Sequence, residues 1–171
     1  MVDDPDDLPE EEAPQPGEKN YITPAGYRKL VDELEFLHFH KRPEVVSALS
    51  DAAAEGDRSE NAEYIYRKRQ LRQIDGRMRF LSKRLDYVSI VDPAEQKRRD
   101  RVFFGATVTV QDEEGGTFTY RIVGQDETAE GLISWKSPVG KALLGKAVGD
   151  AVMVRWHSGT RELTITAIDY G

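Results

Sequence analysis

Apolar residues recur in steps of three and four at Tyr27, Leu30, Leu34 and Leu37, the spacing that gathers side chains along one face of an α-helix. Thr23 followed by Pro24 offers an N-cap and a proline at the first helical position, so the pattern predicts a helix from there to about Glu55. Lys41 and Pro43 interrupt the seam. A proline inside a regular helix costs ~3 kcal/mol, and a kink or a change of register is expected near Arg42. Leu71, Ile74, Met78, Leu81, Leu85 and Val88 repeat the alternation and predict a second helix. Together the two seams predict a long antiparallel coiled-coil hairpin over residues 21–92. About 30 residues at ~1.5 Å each make an arm of roughly 45 Å.

After Val88 the period changes. Pro93 and the polar stretch from Glu95 to Arg101 read as a linker over residues 93–101, and from Val102 onward the chain alternates as strands do. Ala106–Val110, Thr117–Val123, Leu132–Trp135, Ala151–Trp156 and Leu163–Ile168 are the expected strands, with turns at Asp112–Gly116 and His157–Thr160. Ser137 and Pro138 open a short helix to Leu144. Five strands around one helix make a small α+β module over residues 102–171, and the chain as a whole is of the α+β class.

Between the two helical runs lies Gly56-Asp57-Arg58-Ser59-Glu60-Asn61-Ala62-Glu63-Tyr64, which puts carboxylates at the far end of the hairpin. One reading is structural: Asp57 as N-cap with Glu60 at the third helical position forms a capping box, each side chain satisfying a backbone N–H worth ~1 kcal/mol. The other is chemical. Asp57 and Glu60 at an exposed tip supply oxygen ligands to a hard cation such as Mg²⁺, which keeps several waters and takes only one or two protein carboxylates beside phosphate oxygens. Two carboxylates alone leave such a site incomplete, so a partner must finish it.

Several motifs in one order resemble the bacterial Gre transcript-cleavage factors. They are the tip from Gly56 to Tyr64, the preceding Arg42-Pro43-Glu44-Val45, Val102-Phe103-Phe104-Gly105-Ala106, Arg121-Ile122-Val123-Gly124, and Ser137-Pro138 leading into Lys141-Ala142-Leu143-Leu144. The match runs from Tyr21 to Tyr170. Arg58-Ser59 between the two acids, and the basic stretch beyond the tip, resemble the GreB branch more than GreA. The resemblance implies that the arm enters the secondary channel of bacterial RNA polymerase, where the 3′ end of a backtracked nascent RNA lies. Carried over residue by residue, Asp57 and Glu60 match the tip acids that help to hold a second Mg²⁺ and position the attacking water. The polymerase remains the catalyst, and the factor is a cofactor of its hydrolytic activity with no tight Mg²⁺ site of its own. Asn61 matches the motif as well; it orients the water or simply continues the helix. The C-terminal module is implied to be FKBP-like and to dock on the rim of the channel against the β′ subunit. Ser137 and Pro138 match the contact positions there, although Lys136 stands where an acid or amide is expected. The factor is expected to act as a monomer.

Net charge changes the picture in one respect. The chain of 171 residues carries −7, and residues 1–20 hold eight acids against Lys19, so this tail accounts for all of it. Within the body the second helix is basic. Arg67, Lys68, Arg69 and Arg72 cluster within two turns, with Arg77, Arg79, Lys83 and Arg84 further along. A solvated face that pairs in part with Asp32, Glu33 or Glu35 accounts for such a run. The first cluster, roughly 10 to 20 Å behind the tip by helical rise, also suits capture of RNA phosphates. Tyr64 and Tyr66 lie between and either stack a base or cover the hairpin end.

Three rival functions stand beside cleavage. An FKBP-like prolyl isomerase needs an aromatic-lined pocket, and a fold alone does not confer the activity. A channel-binding regulator that inhibits would share the arm and differ at the tip, where this chain has both acids. A coiled-coil adaptor leaves the tip motif unexplained. With no cysteine there is no thiol chemistry or zinc knuckle, and His38, His40 and His157 lack metal-ligand company. No apolar stretch approaches the ~20 residues of a membrane span, and no signal peptide is evident, so the protein is expected to be cytoplasmic.

The acidic residues 1–20, with prolines at 5, 9, 14 and 16, read as a disordered tail. It serves solubility, or it competes for the basic helix or the channel entrance. If it competes, its deletion strengthens polymerase binding most at low salt; affinities of the full-length and truncated chains that coincide across a salt series would rule the competition out.

Overall fold

The computed structural model describes residues 18–57 and 60–171, so most of the acidic tail, and Arg58 and Ser59 of the tip motif, lie outside the described residues. The chain is mixed α+β and divides into two compact units, residues 28–87 and residues 19–27 together with 88–171. Helix α1 spans Pro24–Phe36, α2 Arg42–Ala54 and α3 Ala62–Tyr87.

In the first unit α2 and α3 lie antiparallel. Helices α2 and α3 pack against each other, with Val45 and Ala52 of α2 and Ile74 and Leu81 of α3 buried; Leu30 of α1 is buried as well. Leu71, Met78 and Leu85 are half-buried. Val88, expected to continue the seam, lies beyond the end of α3 at Tyr87, because the chain turns extended at Ser89. The break near Arg42 takes a definite form. Leu37–Lys41 is a π-helical turn, and the Arg42 N–H bonds to the Leu37 carbonyl five residues back. The wider turn gives Pro43 room, since its ring would meet the carbonyl four residues back in a continuous α-helix. Ion pairs lace the seam's edge: Arg42 Nε to Asp75 Oδ1 at 2.8 Å, and Arg77 to both oxygens of Glu33 at 2.7 and 3.0 Å. These pairs are well exposed, so solvent screening leaves each with little effect on stability.

The second unit holds a five-stranded sheet built from β3 (Thr107–Asp112), β4 (Thr117–Val123), β5 (Leu132–Ser134), β6 (Ala151–Trp156) and β7 (Gly159–Asp169). Its order is β5-β4-β3-β7-β6, antiparallel except for β4 with β5. Alternation decides the faces: Val108, Val110, Val152 and Val154 point to one side, where Leu143 of helix α4 (Pro138–Leu143) joins them. The pairing of β3 with β7 shifts by one residue at Thr109/Val110, and Thr166 Oγ1 donates to the Thr109 carbonyl at 3.2 Å beside this bulge. Strand β7 begins at Gly159, four residues before its expected start, because β6 and β7 pair right up to their turn.

A short parallel pair was not foreseen: β1 (Tyr21–Ile22) lies beside β2 (Ser89–Ile90). Two-residue strands carry no period to read. Thr23 follows as the expected cap of α1, its Oγ1 accepting from Gly26 N–H at 3.1 Å. Glu127 holds this corner. Its carboxylate accepts from the Thr23 N–H at 3.1 Å, the Gly124 N–H at 2.7 Å and the Thr23 hydroxyl. Gly124 is required here, since a Cβ would stand 2.6 Å from the Tyr21 carbonyl oxygen. The segment expected as a linker starts as packed structure, with Pro93 buried in a 3₁₀ turn over Pro93–Glu95.

Replacing Glu127 by alanine strands two part-buried N–H donors, and each costs about 1–3 kcal/mol when left unmade. Glu127→Ala is therefore expected to lower the urea midpoint of the second unit. Both tryptophans, Trp135 and Trp156, belong to that unit, so their fluorescence reads it directly. A midpoint equal to that of the unmodified chain would contradict the clamp.

Candidate functional site

The tip is built by two helix ends. Helix α2 closes at Glu55, whose N–H bonds to the Ala52 carbonyl at 3.2 Å, and Gly56 follows at φ 129°, a backbone region that favours glycine. Asp57 and Glu60 then stand exposed in the turn, before α3 begins at Ala62.

The capping-box reading of Asp57 and Glu60 is corrected by this geometry. Asn61 occupies the cap: its Oδ1 accepts from the Tyr64 N–H at 3.0 Å, and its Nδ2 donates to the Ala52 carbonyl at 2.7 Å. One amide thus starts α3 and ties it to the last turn of α2. Aspartate and asparagine cap helices equally well, so sequence alone did not choose between positions 57 and 61. The second hydrogen bond decides it, because only the residue facing Ala52 satisfies both helix ends. Both acids are left outside the helix.

A carboxylate pair in an exposed turn matches part of a Mg²⁺ shell, which is completed by water and phosphate oxygens. Among the described residues no group of three or more His, Cys, Asp or Glu side chains gathers as a metal cage. His38 and His40 lie in the π-helical turn, where His38 meets the Phe39 ring edge-on at 4.6 Å and His40 stacks on Phe36 at 5.8 Å.

The basic cluster on α3 sorts by environment. Arg67 Nε donates to Glu63 at 2.7 Å and its Nη1 to Gln70 at 3.1 Å, and the hydrogen bond to Glu63 raises its pKa further above the ordinary arginine value. Lys68, Arg69 and Arg72 lie on the exposed faces. The tyrosines separate too: Tyr64 is half-buried, whereas Tyr66 is 57% exposed and Ile65 beside it 52%.

In the second unit Ser137 caps α4, its hydroxyl accepting from the Gly140 N–H at 3.0 Å, and Pro138 is exposed at the first helical position. Lys136 Nζ stands 5.5 Å from the centre of the Trp135 ring. The aromatics gather at two clefts. Tyr21, Phe103, Phe104 and Trp135 line one of about 390 Å³, and Phe118, Tyr120 and Trp156 line another of about 240 Å³. Burial pushes the Tyr120 hydroxyl's pKa above its usual value, with Arg161 opposing.

Asn61→Ala removes the cap and the bridge together. A lost N-cap costs about 1 kcal/mol. Amide hydrogen exchange in the first turn of α3 is expected to accelerate about fivefold or more, and unchanged protection at Tyr64 would contradict the assignment.

Comparison with known proteins covers nearly all the described chain. The family model described as "Transcription elongation factor, N-terminal" matches residues 20–90, and "Transcription elongation factor, GreA/GreB, C-term" matches residues 95–170. Transcription elongation factor GreB of Haemophilus influenzae is 54% identical over 153 residues, covering 88% of this chain and 96% of that protein. GreB of Neisseria meningitidis serogroup B is 47% identical over 154 residues, covering 89% and 94%. The crystal structure of GreA factor homolog 1 (Gfh1) of Thermus thermophilus aligns at 26% identity with a TM-score of 0.41, covering 89% of this chain and 99% of that one.

Proposed function

Because the chain belongs to the GreA/GreB family of transcription elongation factors, we propose that its helical hairpin is a coiled-coil arm that enters the secondary channel of bacterial RNA polymerase. There Asp57 and Glu60 stimulate cleavage of backtracked nascent RNA by the polymerase itself. The observation that supports this reading is the placement of both acids in an exposed turn ahead of α3, whose first turn is capped by Asn61. A factor of this kind owns no complete active site.

Asp57 and Glu60 contribute carboxylate oxygens to a Mg²⁺ site that polymerase groups and the RNA phosphate complete. When bound there, the ion supplies charge stabilisation to the attacking water and the leaving oxygen. Asn61 keeps the turn in shape, so the carboxylates arrive with little ordering left to do. Arg67, Lys68, Arg69 and Arg72 follow along α3 and attract the phosphates of the displaced RNA 3′ end, with Arg67 shared between that role and Glu63. The sheet unit is an FKBP-like module that docks on the β′ rim through the neighbourhood of Ser137 and Pro138. Isomerase activity is not part of the proposal, since aromatic clefts do not by themselves supply a chemistry.

The test is RNA cleavage in a stalled, backtracked bacterial elongation complex with end-labelled transcripts. The chain is expected to release short 3′ fragments rapidly, and Asp57→Asn/Glu60→Gln to slow this on the order of a hundredfold while still binding polymerase. Binding without stimulation by the unmodified chain would identify an inhibitory regulator of the channel instead.

A further inference from the structure

The rings Tyr21, Phe103, Phe104 and Trp135 line the cleft of about 390 Å³ in the sheet unit, a size that holds one small molecule. Tyr21 links them, its ring centre 5.1 Å from that of Trp135 and 5.7 Å from that of Phe104. Cations stand over two of the rings: the Arg98 guanidinium 5.8 Å from the centre of Phe103, and the Lys136 ammonium 5.5 Å from that of Trp135. Such contacts hold positive charge beside a ring without neutralising it. Segment 95–101, which gives Gln96 to the cleft wall, carries Lys97, Arg98, Arg99 and Arg101 against Glu95 and Asp100. Asp100 is shared, 3.5 Å from Arg98 and 3.9 Å from Arg101 in exposed pairs, so positive charge stays in excess. Arg101 also donates to the Gly145 carbonyl at 2.9 Å, and Gly145 lines the cleft. Gln96 Oε1 accepts from the Arg98 N–H at 3.1 Å, which leaves its Nε2 to donate.

Rings to stack on, cations beside them and one amide donor are complementary to a planar ring that carries an anion and a hydrogen-bond acceptor. A nucleotide has all three. Its base presents a π face, the base edge accepts from an amide, and its phosphates need positive charge. An acidic peptide meets the cations but leaves the rings without a planar partner. A nucleic-acid strand needs further rings for its next bases, which a single cleft does not offer. We propose that the cleft binds one free nucleoside triphosphate, its base among Tyr21, Phe103 and Trp135 with Gln96 Nε2 on the base edge, and its phosphates at Arg98 and Arg101. Trp135 and Lys136 lead directly into Ser137 and Pro138, so the bound nucleotide lies beside the edge proposed to meet polymerase. The inference stands apart from that reading and is tested on the free chain.

The full-length chain is dialysed to equilibrium against radiolabelled ATP, GTP, CTP or UTP at low salt. At least one of them is expected to bind saturably, and inorganic triphosphate, which has the charge but no base, to compete about tenfold more weakly or worse. Phe103→Leu keeps an apolar side chain and loses the ring; Arg98→Ala removes an exposed cation, so that variant reads binding without disturbing the fold. Each is expected to weaken binding about tenfold, while Phe118→Leu, in the other cleft, leaves it unchanged. No saturable binding of any of these nucleotides at millimolar concentration would overturn the proposal. So would binding that Phe103→Leu or Arg98→Ala leaves unchanged, or inorganic triphosphate that competes as well as the nucleotide. Tighter competition by a short oligouridylate than by UTP would assign the cleft to a strand and overturn it too. None of these outcomes involves polymerase, so failure of the cleavage reading leaves the test intact.

Discussion

One amide closes the open end of the helical hairpin, and the chemistry at the tip depends on it. Two antiparallel helices joined by a short turn leave carbonyls at one end and N–H groups at the other without intrahelical partners. Asn61 accepts from the Tyr64 N–H at the start of α3 and gives a second donor to the Ala52 carbonyl, which already accepts from the Glu55 N–H. An aspartate there would cap α3 but could not donate across to α2. With α3 capped by position 61, the two acids before it stand exposed in the turn.

The sheet unit uses a carboxylate in the opposite way. Glu127 gathers the Thr23 and Gly124 N–H groups and the Thr23 hydroxyl, so its oxygens serve structure rather than chemistry. The contrast with Asp57 and Glu60 is one of environment. A half-buried acid surrounded by backbone donors is held in place by them, and an exposed acid in a turn remains able to meet a cation brought by a partner.

The same division runs along α3. Arg67, Arg77 and, from α2, Arg42 bond to carboxylates of their own unit, and such exposed pairs add little stability individually. Their value lies in geometry: they fix side chains along the seam and, in the case of Arg67, orient a neighbouring ring. Lys68, Arg69 and Arg72 are exposed to water.

The sequence by itself determined the broad plan. Periods of three and four located the helices, alternation located four of the five sheet strands closely, and Ser137-Pro138 marked the start of α4, because these patterns express burial on one face of a regular element. Pro43 announced a break in the first helix. What the break would be, a π-helical turn over Leu37–Lys41, depended on how the next turn packs against α3. Likewise the parallel pairing of Tyr21–Ile22 with Ser89–Ile90, and the choice of Asn61 over Asp57 as cap, joined residues that local pattern does not connect. Those were decided by tertiary structure, since a hydrogen bond between distant segments exists only once packing has brought its donor and acceptor together.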